Sequence, residues 1–175
     1  MSAVATQDQL RLGFLTAVED ADGGIVGGLL VTNRFGRPLE FQCTTPVRPN
    51  RTQQILYGPT LRPYLLTEVI GRTLLEKVGV QPHLVLTESP ELLDLRLHVP
   101  MPVASLVAAD ADPADGVVMV LGQQRLRFHA DFPQDGRDIE RRKDQVPETA
   151  DLKEPFERIR EALSETLKMP VAKAG

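Results

Sequence analysis

Apolar and polar positions near the start of the chain follow a pattern that predicts three β-strands joined by two turns. The predicted strands are residues 14–18, 25–32 and 39–44, and the third alternates between apolar and polar side chains. Residues 19–24 and 33–38 are rich in Asp, Asn, Gly and Pro, which favour turn conformations. We therefore predict an antiparallel meander at the start of the fold.

Two neighbouring glycines and an apolar stripe add detail to this meander. Gly27 and Gly28 interrupt the second strand, which indicates a bulge or a close approach of another backbone. In the third strand, Leu39, Phe41 and Cys43 share one face, since side chains alternate across a strand. We expect that face to point into the core.

Two segments have the apolar spacing of amphipathic helices. The first covers residues 60–78, with Thr60 as the expected N-cap, Pro63 in the first turn and Gly79 at the stop. The second covers residues 151–169 at the C-terminal end. We expect its apolar face to pack on the domain or on a partner.

The remaining elements are short, and they lead to a prediction of the fold class. They are a strand at 84–87, a short helix at 90–96, an extended segment at 103–108 and a hairpin of 117–121 with 125–130. The fold class predicted is α+β, with an antiparallel or mixed sheet packed by a central helix and a C-terminal helix. The sheet would combine the N-terminal three-strand meander with the later hairpin. The order of elements resembles that of profilin, roadblock and longin proteins, and a resemblance of fold implies no function.

The domain organisation follows from the change in composition near residue 135. Residues 1–134 are expected to form a single α+β domain. Residues 135–150 are densely charged and nearly lack apolar side chains, which predicts a charged linker before the C-terminal helix. Residues 170–175 are expected to form a frayed tail.

Composition indicates a globular protein of a reducing compartment. The chain has 175 residues, of which 42% are hydrophobic and 25% are charged, with a formal net charge of −4. Cys43 is the single cysteine, so no intrachain disulfide can form. No N-terminal apolar run indicates a signal peptide, and no stretch is long enough to span a bilayer. We therefore expect a cytoplasmic protein without membrane contact.

Motifs for catalysis, metals or cofactors are weak in this sequence. Cys43 could act with one of the three histidines only if the fold brought them together, and a buried thiol is the favoured interpretation. The spacing of Cys43 and the histidines matches no metal pattern. Asp110, Asp112 and Asp115 fail the EF-hand pattern at its sixth and twelfth positions. We therefore predict no catalytic residue, no metal site and no cofactor.

The strongest functional signal is a segment rich in arginine. Residues 33–72 hold six arginines and no lysine. Arginine presents a planar fork of donors that suits carboxylates and phosphates. We predict partner-binding residues that combine these arginines with neighbouring polar and aromatic side chains: Arg34, Arg37, Arg48, Asn50, Arg51, Tyr57 and Arg62.

These observations favour a non-catalytic binding or adaptor module over an enzyme. Its arginines would engage an acidic protein surface or an anionic ligand, and a homodimer is a further partner to consider. One alternative is a small enzyme or ligand-binding protein with a site near Cys43 and the arginines. A second alternative is an RNA-associated factor that reads phosphates with the same arginines. The overall acidity and the scarcity of aromatic residues disfavour nucleic acid as a partner.

Overall fold

Seven strands form one mixed sheet in the order β3-β2-β1-β4-β5-β7-β6. The structure, a computed structural model, describes residues 9–108 and 118–168. The predicted loop at 109–116, which contains Asp110, Asp112 and Asp115, and the predicted tail at 170–175 lie outside these ranges. The strands are β1 (Arg11–Glu19), β2 (Ile25–Asn33), β3 (Pro38–Cys43), β4 (Leu84–Thr87), β5 (Val103–Val107), β6 (Val118–Leu121) and β7 (Gln124–Phe128).

The predicted antiparallel meander is confirmed. Strands β1 and β2 pair antiparallel along their full lengths, and β3 pairs antiparallel with β2. Asp20 and Asn33 stabilise the two turns, because each side chain accepts two backbone N–H groups of its own turn. Strand β4 lies beside β1 and β5 beside β4, both in parallel, so the carboxyl ends of β1, β4 and β5 reach the same edge.

Helical segments cover both faces of the sheet. No helix in the described ranges combines the length and the apolar character needed to cross a membrane. Pro90–His98 and Lys143–Gln145 form 3₁₀ segments. The central segment contains α1 (Arg51–Tyr57), a 3₁₀ turn (Gly58–Thr60), α2 (Leu61–Tyr64), a π-helical stretch (Leu65–Arg72) and α3 (Thr73–Lys77). Two helices follow later in the chain, α4 (Pro133–Glu140) and α5 (Glu154–Lys168).

The central helix begins differently from the prediction. The side chain of Thr60 caps no helix and donates instead to the carbonyl of Tyr57. Helix α1, which was not predicted, begins at Asn50, whose side chain accepts from the Gln53 backbone while the Gln53 side chain accepts from the Asn50 backbone. Gly58 then ends α1 in a conformation with a φ of 52°.

Each face of the sheet carries its own core. On one face the central helices and the Pro90–His98 segment cover β1, β2, β4 and β5. On the other face α5 and α4 cover the sheet, and Phe14 meets Phe156 edge to face at 5.4 Å between ring centroids. The prediction for β3 is only partly met, because Phe41 and Cys43 pack against this second core while Leu39 is exposed. The result is a three-layered arrangement of helices, sheet and helices.

Residues 135–150 differ from the charged linker that was expected, because they pack against the body. They contain most of α4, and Ile139 and Val146 are buried. Asp135 is only 4% exposed and pairs with Arg96, whose Nε lies 2.7 Å from its Oδ2. Arg96 also stacks on Phe132 at 3.8 Å. Charge density therefore misleads here, because a paired carboxylate can be buried.

Gly27 and Gly28 allow helices to approach β2 from both faces. A Cβ at Gly27 would lie 2.1 Å from Cγ2 of Ile70, in the π-helical stretch. A Cβ at Gly28 would lie 2.7 Å from Cγ2 of Ile159, in α5. Both distances are too short for non-bonded carbons. The sequence predicted a bulge or a close backbone approach here, but β2 pairs with β1 in unbroken register through both glycines, and the groups that come close are side chains of two helices.

We predict that Gly27→Ala and Gly28→Ala each lower the free energy of unfolding by about 1–3 kcal/mol, as overpacking does. Gly79→Ala is the control, because its new Cβ would make only an ordinary contact of 3.4 Å with Glu40. Urea denaturation measures all three variants. Equal stability of the Gly27 and Gly79 variants would contradict the close packing.

Glu40 closes the end of the central helix. Its Oε1 accepts the backbone N–H groups of Gly79 and Val80, each at 2.9 Å. Its Oε2 accepts from the side chain of Gln42 at 2.8 Å. The bond from Gln42, followed by those from Val80 and Gly79, lowers the pKa of Glu40 below its ordinary value.

We predict that Glu40 makes the protein less stable in acid. A carboxyl with a lowered pKa in the folded state stabilises above the unfolded pKa of about 4.3, and this contribution disappears as the pH falls through the folded value. Glu40→Gln should therefore reduce the loss of stability between neutral and acidic pH. Urea denaturation across that range tests this, with Glu157→Gln on exposed helix surface as the control.

Candidate functional site

The carboxyl ends of β1 and β4 form an edge that carries charged side chains. In sheets with parallel strands, ligands bind outside the carboxyl ends of the strands. They do so at the strand where the order reverses, because later parts of the chain add strands on both sides of it. Strand β1 meets this condition, because β2 follows on one side and β4 lies on the other. We call five residues at this edge the carboxyl-edge cluster: Glu19, Arg62, Glu88, Glu91 and Arg160.

Arg62 joins two carboxylates of the cluster. Its Nε lies 3.1 Å from Oε1 of Glu91, and its Nη1 lies 3.3 Å from Oε1 of Glu19. Glu19 is the last residue of β1, Arg62 lies in α2 and Glu91 begins the 3₁₀ segment after β4. The Arg62 side chain remains 51% exposed, so the pairing is open to competition from solvent or ligands.

Arg160 forms the second pair of the cluster. Its guanidinium binds the carboxylate of Glu88, the residue that follows β4. Arg160 lies on α5 and is 42% exposed. It also lines a groove of about 350 Å³ together with Glu19, Ser164 and two apolar residues, Val18 and Leu167.

Helix α1 presents an exposed apolar surface at the same edge. Arg48, which lies before the Asn50 cap of the helix, pairs with Asp20 in the β1–β2 turn, and Arg62, which lies after the helix, pairs with the end of β1. Ile55 and Leu56 are 64% and 77% exposed, and α1 buries none of its residues. Exposed neighbouring apolar side chains of this size indicate a contact surface.

One tyrosine and one aspartate near this edge have shifted pKa values. Tyr57 stacks on Tyr64 with 4.8 Å between ring centroids, and its hydrogen bond raises the pKa of Tyr64. Partial burial raises the pKa of Asp20, but hydrogen bonds from Gly24, Arg48 and the backbone of Asp22 outweigh it and hold the value below normal. Asp20 is therefore an ionised partner that fixes Arg48.

The predicted partner-binding residues do not form one surface. Arg48, Arg51, Tyr57 and Arg62 belong to the carboxyl edge or to α1, and Asn50 serves as the N-cap of α1. Arg34 and Arg37 lie in the β2–β3 turn, which the antiparallel course of β2 places at the opposite edge. The sequence did not single out the carboxylates and Arg160, although Glu88 directly follows a predicted strand.

The structure separates Cys43 from the histidines. Cys43 lies on the outer strand β3, whereas His83 precedes β4 and His129 follows β7. The Nδ1 atoms of these two histidines accept backbone N–H groups, from Arg11 and Asp131 respectively. Within the described ranges, no three side chains of His, Cys, Asp or Glu converge to hold a metal ion.

Comparison with known proteins identifies the fold. No family model matches the sequence, and no curated protein matches it. The chain is similar to endonuclease V of Ciona intestinalis in complex with a 23mer DNA containing an inosine, with a TM-score of 0.52 and 11% identity over 91% of this chain and 88% of that one. A second Ciona endonuclease V complex, with a 24mer DNA, has a TM-score of 0.52 and 10% identity over 91% of this chain and 88% of that one. The catalytic domain of human endonuclease V has a TM-score of 0.49 and 12% identity over 95% of this chain and 87% of that one.

These similarities correct two predictions from the sequence. The chain has the fold of endonuclease V, which contradicts its interpretation as a non-catalytic binding or adaptor module. They also contradict the expectation that nucleic acid is a disfavoured partner, because the Ciona structures hold DNA on this fold. Net charge misled the prediction, since it averages over the whole surface and conceals local groups.

Proposed function

We propose that this protein processes nucleic acid and that it binds a nucleic-acid strand along the carboxyl edge of β1 and β4. The observation that supports this most directly is the placement of Arg62 and Arg160 at the carboxyl ends of β1 and β4, with exposed α1 near Arg62. The shared fold supports it as well, because the Ciona endonuclease V structures contain DNA. The single cysteine favours a reducing, cytoplasmic location for this activity.

The arginines of the carboxyl-edge cluster would bind phosphates by exchanging partners. Each guanidinium is about half exposed and is held by carboxylates that water also reaches. A backbone phosphate offers acceptor oxygens of the same geometry as a carboxylate. Binding would therefore replace glutamate–arginine pairs with phosphate–arginine pairs and release Glu19, Glu88 and Glu91 beside the strand.

Helix α1 would contribute contacts with bases. Tyr57 offers an aromatic ring, on which unpaired bases stack without regard to sequence, and Ile55 and Leu56 offer exposed apolar contact surface beside it. The stacked pair of Tyr57 and Tyr64 restricts the orientation of the first ring. This arrangement favours single-stranded or locally opened nucleic acid over an intact duplex.

We predict that Arg62→Gln and Arg160→Gln each weaken binding to a fluorescent inosine-containing single-stranded DNA by about tenfold, since a charged hydrogen bond is lost. Each should also reduce the slope of log affinity against log salt by about one. Fluorescence anisotropy over a salt series measures both quantities. Arg141→Gln, exposed at the end of α4, is the matched control.

The same DNA and an RNA of equal sequence should be examined for strand cleavage by gel electrophoresis. Binding that is absent at low salt, or that both variants leave unchanged, would refute the proposed site. Cleavage by the intact protein that Arg62→Gln reduces would support processing at this edge. Intact strands after incubation with saturating protein would count against processing.

We predict that Glu88→Gln and Glu91→Gln tighten binding several-fold, because each removes a carboxylate that competes with phosphate for an arginine. The test is the same anisotropy titration. Glu91→Gln should have no effect in an Arg62→Gln background, since the competed guanidinium is then absent. Weaker binding by the glutamine variants would contradict this competition and would show that the carboxylates help the arginines to bind the DNA.

A further inference from the structure

A groove of about 330 Å³ lies between the central helical segment and the 3₁₀ segment that follows β4. We call it the tyrosine groove, because Tyr57 and Tyr64 line it together with Glu68 from the helical side. Asp94 and Leu97 line it from the 3₁₀ side. From the charge and the apolar character of this lining we infer that the groove docks a basic segment of a partner protein, in which an arginine or lysine lies beside an apolar residue.

The charge of the tyrosine groove is negative and unbalanced. Glu68 and Asp94 line it, whereas no lysine or arginine of the described ranges does. The arginines that lie within six residues of these carboxylates along the chain are held by other carboxylates: Arg62, Arg72 and Arg96. The groove therefore presents two carboxylates that the chain itself does not neutralise, and such a surface attracts a cation.

The contact of Asp94 with a histidine does not cancel its charge. Oδ1 of Asp94 lies 3.1 Å from Nε2 of His129. Nδ1 of the same ring accepts the backbone N–H of Asp131 at 3.1 Å, so this nitrogen carries no proton. The ring is therefore neutral and donates from Nε2, which orients the carboxylate. The side chain of Asp94 remains 66% exposed, so a ligand can reach its oxygens.

Aromatic and apolar side chains complete the tyrosine groove. Tyr57 and Tyr64 form a stacked pair, and the faces of tyrosine rings attract cations. The hydrogen bond with Tyr57 raises the pKa of Tyr64 most, and the negative charge of Glu68 raises it further, which places that carboxylate beside the rings. Leu97 is 54% exposed and adds an apolar contact.

A basic peptide segment fits this combination better than other ligands do. Two carboxylates repel the phosphates of a nucleic acid. A metal ion would need at least three converging ligands, and the described part of the chain holds no such group. An arginine or lysine can pair with Glu68 or Asp94 while its apolar stem lies against the rings. A free cation would leave Leu97 uncovered, whereas an apolar neighbour in a peptide would cover it.

Fluorescence anisotropy of a labelled peptide that alternates arginine and leucine tests this inference. Its matched peptide carries citrulline for arginine, which keeps the shape and removes the charge, and it should bind about tenfold more weakly to the full chain. Glu68→Gln and Asp94→Asn should each weaken binding of the arginine peptide by about fivefold, as loss of an exposed ion pair does. Glu76→Gln is the control, because it removes the same charge from the central segment outside the groove. Circular dichroism confirms that each variant is folded.

Selective loss of affinity in Glu68→Gln and Asp94→Asn supports the docking site. Equal affinity for the two peptides, or equal weakening in the Glu76 variant, would overturn it, because attraction would then be general. Binding of spermidine without binding of the peptide would assign the groove to a small cation instead. Self-association in analytical ultracentrifugation that Glu68→Gln abolishes would assign it to a second copy, which also overturns the inference. The peptide assay contains no nucleic acid, so failure of the proposed function leaves the inference intact.

Discussion

The closeness of two helices to the middle of β2 is the constraint on which the rest of the structure depends. Gly27 and Gly28 are neighbours in sequence, so they face opposite sides of the sheet. Ile70 of the π-helical stretch occupies the space over one, and Ile159 of α5 occupies the space over the other. These contacts set the heights of both helical layers. They consequently set the positions of Arg62 and Arg160, which lie within eight residues of the isoleucines.

The elements that could be predicted are those whose pattern is local. The meander, the strand at 84–87 and the later hairpin were correct because alternation and turn residues act within a few positions. The parallel pairing of β1, β4 and β5 depends on contacts across long separations, and no local pattern reports it. Residues 135–150 were misassigned for the same reason. Asp135 is buried beside Arg96, which lies 39 positions away in the chain, and Ile139 and Val146 pack into a core formed by distant strands.

The arginines could be identified from the sequence, but their partners could not. Arg62 and Glu19 are 43 positions apart, and Arg160 and Glu88 are 72 apart. Only the strand order brings these residues to one edge. Helix α1 was missed because it buries no side chain and has no amphipathic pattern, although Asn50 and Gln53 carry the capping box in a less common form. An exposed helix leaves no trace in hydrophobic periodicity.

The ion pairs of Arg62 and Arg160 with glutamates bear on how the net negative charge of the chain affects the binding of a polyanion. A net charge of −4 opposes the approach of a polyanion at long range, but screening limits that effect to about 8 Å at physiological salt. Within that distance, affinity depends on which acceptor each guanidinium holds. Carboxylates that hold Arg62 and Arg160 in place keep them ordered without burying them, so at the proposed site a phosphate would meet donors already oriented at the edge. The glutamates would then have two effects, since they fix the geometry of the arginines and would compete with the proposed ligand for them.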